Sequence, residues 1–214
     1  PARDAEVRAH LATSLLDEAH EPDAEVRARL VDDAQAEYER DRRAVVAVLD
    51  RPEHAQLVRD LSELVHRPPL GADALQGQRS VLHAALRREA RRAHRRLDRV
   101  DEHDLDSLHD ARKAVRRVRY LAEAMTQYAP RGGGPGVAEL GAAAKRLQDV
   151  LGEHRDAVLH AHRIAGQAAA SERAGENPDA YRRLEGIERA HAARLAAARV
   201  AHVDDFERRR QALG

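Results

Sequence analysis

Apolar residues recur at three- and four-residue spacing through most of the chain and almost nowhere alternate, so the pattern predicts helices and no sheet. The longest β-branched run is the short Val45-Val46 pair, and it sits inside a helical pattern. Breaks fall at Glu21-Pro22-Asp23, Arg51-Pro52, 68–77, 100–106, 130–136 and 175–178. Between them, helices are predicted over 2–19, 23–49, 53–66, 76–99, 106–129, 137–173 and 178–212, the last with a break near Val203. Pro22-Asp23 and Pro178-Asp179 suit first-turn positions, where the missing proline N–H is no loss and an aspartate meets the positive helix end. The expected fold class is all-α.

The same order of residues occurs twice. Arg3-Asp4-Ala5 with Ala9-His10 matches Arg155-Asp156-Ala157 with Ala161-His162 at identical spacing. Downstream, Pro22-Asp23-Ala24 with Arg27 matches Pro178-Asp179-Ala180 with Arg183, the offset changed by four residues. The matches predict a duplicated helical unit of roughly 150 residues, and so two related up-and-down bundles. The segment before Arg155 has no counterpart before Arg3, and the chain begins with Pro rather than Met. The start of the first repeat is therefore expected to lie outside it. On this reading 1–75 is the remainder of the first repeat and 76–214 the second, together one domain.

One predicted helix is divided sharply into two faces. In the stretch from Leu108 to Met125, His109, Arg112, Lys113, Arg116 and Tyr120 fall within about 100° at 100° per residue, with Arg117 and Arg119 on the flanks. The opposite arc holds Leu108, Ala111, Ala114, Val115, Val118, Leu121, Ala122 and Met125 and is expected to be buried. Like charges at i, i+3 and i+4 repel, and an anion lying along the stripe would offset that. Ordinary solvated helices mix Glu with Lys or Arg; the acids here, Asp110 and Glu123, do not interrupt the stripe.

A second stretch, Lys145 to Arg155 followed by Asp156, carries Leu147, Val150, Leu151 and Val158 on its apolar arc. Lys145, Gln148, Asp149, Gly152 and Asp156 occupy another side. A mid-helix glycine costs about 1 kcal/mol relative to alanine, so Gly152 predicts a close approach. Asp149 and Asp156 are expected to hold the Arg side chains of the 109–120 helix.

Composition changes this picture in one respect. The chain carries 37 Lys+Arg against 37 Asp+Glu, which excludes a protein that is basic all over but not one that is basic along a face. Only Lys113 and Lys145 are Lys, so abundant Arg follows from composition bias and position is the evidence to weigh. Cysteine is absent, which excludes disulfide frameworks and thiolate chemistry, and aromatics at 2% argue against base stacking on single strands. No run approaches 18 apolar residues, so no membrane span or signal peptide is expected.

The paired stretches resemble the CHAD domain, the conserved-histidine α-helical domain. His109-Asp110-Ala111-Arg112-Lys113-Ala114-Val115-Arg116-Arg117-Val118-Arg119 fits its His-x-x-Arg-(Lys/Arg)-x-x-(Arg/Lys)-Arg-x-Arg helix. Leu147-Gln148-Asp149-Val150-Leu151-Gly152, closing on Asp156, fits its Leu-Gln-x-x-Leu-Gly-x-x-x-Asp segment. Pro1-Ala2-Arg3-Asp4-Ala5 looks like the tail of the same segment in the first bundle. The resemblance implies two related bundles whose basic side chains line a central groove or pore, and non-catalytic binding of inorganic polyphosphate. It also implies a cytoplasmic protein associated with polyphosphate granules. The residues expected to bind are His109, Arg112, Lys113, Arg116, Arg117, Arg119, Tyr120, Lys145, Arg155 and Arg3.

Arg88, Arg92 and Arg95, which share one side of the 76–99 helix with Arg99, are expected to extend that surface. A helical scaffold and a binder of nucleic-acid phosphates are the alternatives, the second weaker because nothing points to base edges. No cofactor or metal is expected: the 13 His include no i, i+4 pair, and Asp32-Asp33 with Glu37 lacks a second acidic cluster.

Overall fold

The computed structural model describes residues 2–69, 78–101, 104–128 and 130–213. Among these the chain is helical without a strand, as the pattern predicts. In order come α1 (Ala2–Glu18), α2 (Ala24–Arg27), a π-helical turn (Ala28–Asp32), α3 (Asp33–Leu49) and α4 (Pro52–His66). Then follow α5 (Gln78–Leu97), α6 (Leu105–Tyr128), α7 (Pro130–Ala174) and α8 (Asp179–Ala212). Residues 76, 77 and 129 of the predicted helices, and most of the 68–77 break, lie outside the described residues.

Three local differences from the expectation have physical causes. The 23–49 helix is interrupted by the π-helical turn, which inserts one wide turn between α2 and α3. The 130–136 break shrinks to a single left-handed residue, Gly134 at φ 67, around which α7 changes course. α8 does not break near Val203. Fully buried Phe206 anchors that stretch, and two ion pairs tie it to α7, Arg146 to Asp205 at 2.8 Å and Arg209 to Glu139 at 2.6 Å.

The chain packs as two units, one of Pro1–Leu70 with Leu159–Glu188, the other of Gly71–Val158 with Arg189–Gly214. This division by packing differs in kind from a division by repeat at 75/76. α7 and α8 are long enough to contribute to both units, so neither unit is one continuous stretch.

In the first unit, α1 buries Ala5, Ala9, Ala12, Leu15 and Leu16, a seam at three- and four-residue spacing. Leu15 and Leu16 pack with Val26, Leu30, Val31, Ile164, Tyr181 and Leu184. α1 ends on His20 at φ 52, with Glu21 N–H donating to Leu16 C=O at 3.0 Å and His20 N–H to Asp17 C=O at 3.3 Å. The same pair of bonds closes α7 at Gly175, from Glu176 to Ser171 and from Gly175 to Glu172. Asp23 is the N-cap of α2, its Oδ1 accepting from the Glu25 and Val26 N–H groups at 2.8 and 3.3 Å. Pro22 therefore precedes the cap instead of sitting in the first turn. α4 buries no residue: Leu57, Val58, Leu61, Leu64 and Val65 stay exposed, as do Val45, Val46, Val48 and Leu49 at the end of α3.

In the second unit, the predicted apolar arc of α6 is the core. Leu108, Ala111, Ala114, Val115, Val118, Ala122 and Met125 are buried and Leu121 is partly so. They pack with Leu86, Ala90, Ala93 and Leu97 of α5, Val137, Leu140, Ala144, Leu147 and Leu151 of α7, and Phe206 of α8. Each large side chain so buried contributes about 1.5–3 kcal/mol. Gly141 lets α7 close on α6: a Cβ there would stand 3.0 Å from Ala122 Cβ.

Candidate anion-binding surface

With one face of α6 fixed in the core, the opposite face has no choice of direction. His109, Arg112, Lys113 and Arg116 are half-buried, and Arg117 and Tyr120 exposed. α7, running alongside, adds Arg155 to the first of these. Burial pushes the His109 imidazole below its ordinary range, and the charges of Lys113, Arg155 and Arg112 push it further, against a smaller opposing pull from Asp110. The structure thus gathers His109, Arg112, Lys113 and Arg155 into one electrostatic cluster.

Three nitrogens of that cluster are buried without a hydrogen-bond partner: His109 Nδ1, Arg112 Nε and Arg155 Nε. Buried unmet polar groups each cost about 1–3 kcal/mol, and like charges crowded here add to that. Gly152 is what admits Arg112, since a Cβ there would come within 3.0 Å of Nε, 3.6 Å of Nη2 and 3.7 Å of Cζ. The close approach expected of Gly152 is therefore to a side chain of the basic stripe.

Asp149 acts differently from the expectation. Asp149 accepts from Lys145 Nζ at 2.7 Å on its own helix and reaches Arg119 only through its field. Asp156 lies 3.6 Å from Arg155. Arg119 donates to Glu123 at 2.7 Å, which holds its guanidinium charge more firmly, and lies 5.5 Å over the Tyr120 ring. Lys113 pairs with Asp110 at 3.1 Å, and Asp110 also holds Arg96 of α5 at 3.2 Å. Lys113 beside it keeps the Asp110 carboxyl below the usual carboxylate range. Arg116 and Arg117 make no ion pair among the described residues.

Arg88, Arg92 and Arg95 are exposed on α5 and line one depression of about 390 Å³ with Glu89, Arg96 and Arg99. Arg96, one of its walls, shares Asp110 with Lys113, so the α5 row and the α6 stripe are joined through a single carboxylate. That link was not legible in the sequence, because Asp110 sits three residues before Lys113 and gave no sign of reaching α5. Arg3 is exposed on α1 and belongs to the other unit. Arg8, Arg29, His160 and Arg163 of the first unit line a cavity of about 280 Å³ to which no sequence motif pointed. The repeat spacing alone carried a signal for two of them, since Arg8 and His160 are separated by the same 152 positions as Arg3 and Arg155.

The chain is thus all-helical among the described residues, with a row of cationic side chains on α5 and a stripe of them on α6. Among the described residues, no helix is long and apolar enough to cross a membrane. The family model of the CHAD domain matches residues 1–165, and the chain belongs to that family. It is also 33% identical over 190 residues to two uncharacterized proteins, MT2285 and Rv2226, from two strains of Mycobacterium tuberculosis. The match covers 84% of this chain and 34% of each of those proteins, so the chain spans about a third of their length. No solved structure matches the chain.

Proposed function

We propose that the protein binds inorganic polyphosphate, without catalysis, through the cationic face of α6 and its neighbours. The CHAD family is linked in general to polyphosphate binding and is generally non-catalytic. The observation that carries the reading here is the cluster of His109, Arg112, Lys113 and Arg155, with buried nitrogens lacking partners and a histidine depressed by burial and then by its cationic neighbours. Such a cluster is destabilised by its own field, and a linear polyanion relieves it along its whole length. Arg116, Arg117, Arg119 and Tyr120 continue the line along α6, Lys145 adds a cation on α7 where it pairs with Asp149, and Arg88, Arg92 and Arg95 provide the extension on α5. Arg3 enters only as the residue matching Arg155 in the repeated pattern.

The test is a mobility shift with long-chain polyphosphate in the presence of chelator, against duplex DNA at equal phosphate. Polyphosphate should win, and the binding should weaken steeply with salt as counterions are released. Replacing Arg112 and Arg116 together by Glu should abolish the shift with helicity and melting nearly unchanged. Retained binding in that variant rejects the α6 face. A preference for the duplex points to nucleic-acid phosphates instead.

A further inference from the structure

The first unit holds a second gathering of charge in which α6 takes no part. Its cavity of about 280 Å³ lies among α1, the π-helical turn, the start of α3 and the later part of α7. We propose that it binds a compact phosphate-class anion, orthophosphate or pyrophosphate, and that the Glu37 carboxylate fills the place of that anion in the free protein. The proposal does not rest on the polyphosphate reading of α6.

Arg8 is the fixed donor. Its Nε donates to the Asp4 carbonyl at 3.1 Å and its Nη2 pairs with Glu37 at 2.7 Å. The arginine side chain is 16% exposed and the glutamate 41%, so the guanidinium is set in the wall while the carboxylate stands on the open side. Arg8 holds the Glu37 carboxyl below the usual carboxylate range, which keeps it anionic. A carboxylate seated on a half-buried guanidinium marks where an external oxyanion would sit, since phosphate and carboxylate present the same oxygens to the fork.

The rest of the wall suits the same ligand. The π-helical turn presents Arg29, which is immobilised by Ser171 Oγ at 3.2 Å, by both oxygens of Glu176 at 2.7 and 3.0 Å, and by Glu25. Its charge is already met by those two carboxylates, so it forms a fixed wall of the cavity and leaves the anion to Arg8 and Arg163. His160 is only 4% exposed, and its buried Nδ1 stands 3.5 Å from Glu188 Oε1 without forming a hydrogen bond. Arg163, exposed, makes no ion pair among the described residues. Arg8 and His160 occupy matching positions of the repeated pattern, 152 residues apart, so the two copies bring equivalent side chains to one cavity. Asp33, exposed on the same wall, leaves the cationic part of the cavity room for a compact group only.

Calorimetric titration of the full chain with pyrophosphate, then orthophosphate, tests this. The expected result is saturable binding that Glu37→Gln tightens by about three- to tenfold, because the competing internal anion is gone. Gly166→Glu should abolish it. A Cβ at Gly166 meets nothing within 4 Å, so the new carboxylate enters open space, and the change favours the helix. An unchanged or higher melting temperature then separates loss of binding from loss of fold. Absence of saturable binding in both the wild type and Glu37→Gln overturns the proposal, as does binding indifferent to Gly166→Glu. Pyrophosphate binding lost on replacing Arg112 and Arg116 by Glu overturns it too, and leaves the α6 reading standing. Pyrophosphate binding kept by that variant, with polyphosphate binding also kept, rejects α6 and leaves this cavity.

Discussion

The guanidinium of Arg112 lies against the bare α-carbon of Gly152, with Nε 3.0 Å from the place a Cβ would take. A helix that carries glycine in its middle gives up about 1 kcal/mol, and here the space goes to a cation on the neighbouring helix. Stability and binding should therefore separate at this position. Gly152→Leu is expected to move Arg112 out of the cluster and weaken polyphosphate binding about tenfold, a loss near 1.4 kcal/mol. Melting should change little, because the displaced group is a flexible side chain. Parallel melting and affinity measurements check it; a variant that loses both together would make Gly152 a packing residue only.

Asp110 predicts the opposite direction. Its carboxylate holds Lys113 and Arg96 at once, so it withdraws two cations from the surface they share. Asp110→Asn should tighten polyphosphate binding several-fold and steepen its salt dependence by about one in the log–log slope for each cation newly engaged. Affinity measured across a salt series is the readout, and weaker binding would show that Asp110 positions Lys113 productively.

Protonation of His109 should couple to binding. Burial and the neighbouring cations depress its pKa in the free protein below the ordinary 6.5. A histidine disfavoured as a cation costs stability on acidification. The unfolded chain takes up the proton first, so stability is full above about 6.5, falls as pH drops towards the folded value, and then levels. A bound polyanion favours the imidazolium and raises that value, so affinity should grow as pH falls through the same window. Histidine titration by NMR, with and without polyphosphate, should show the upward shift, and His109→Gln should flatten the pH profile of binding.

Gly141 is a packing residue of a different kind. A Cβ there would meet Ala122 Cβ at 3.0 Å, side chain against side chain on two helices locked by the core. Gly141→Leu should cost about 1–3 kcal/mol by overpacking and lower the melting temperature by several degrees. An unchanged melting curve would mean that α6 and α7 can separate freely at this point.

How far the sequence reaches depends on whether a property belongs to one helix or to several. The two faces of α6 are a matter of 100° steps, so Leu108 to Met125 went inward and His109 to Tyr120 outward as read. Pairings that cross helices were not legible: Asp110 to Arg96, Arg112 to Gly152, and Asp149 to Lys145 rather than to α6 all depend on which helices become neighbours. α8 passes Val203 unbroken because Phe206 and the Asp205 and Arg209 ion pairs outweigh local propensity. The π-helical turn adds a residue that no periodic pattern announces.

α4 has a consequence of its own. Its 15 residues bury nothing, and local bonds such as Gln56 to Asp60 at 2.6 Å help to hold it. Isolated helices of about 12–15 residues are marginal in water. The segment from Pro52 to His66 is then the first to melt and the last to form, and its amides should exchange with solvent long before those of α6. Whatever surface comes to lie on Leu57, Leu61 and Leu64 would find a helix that folds against it rather than one already waiting.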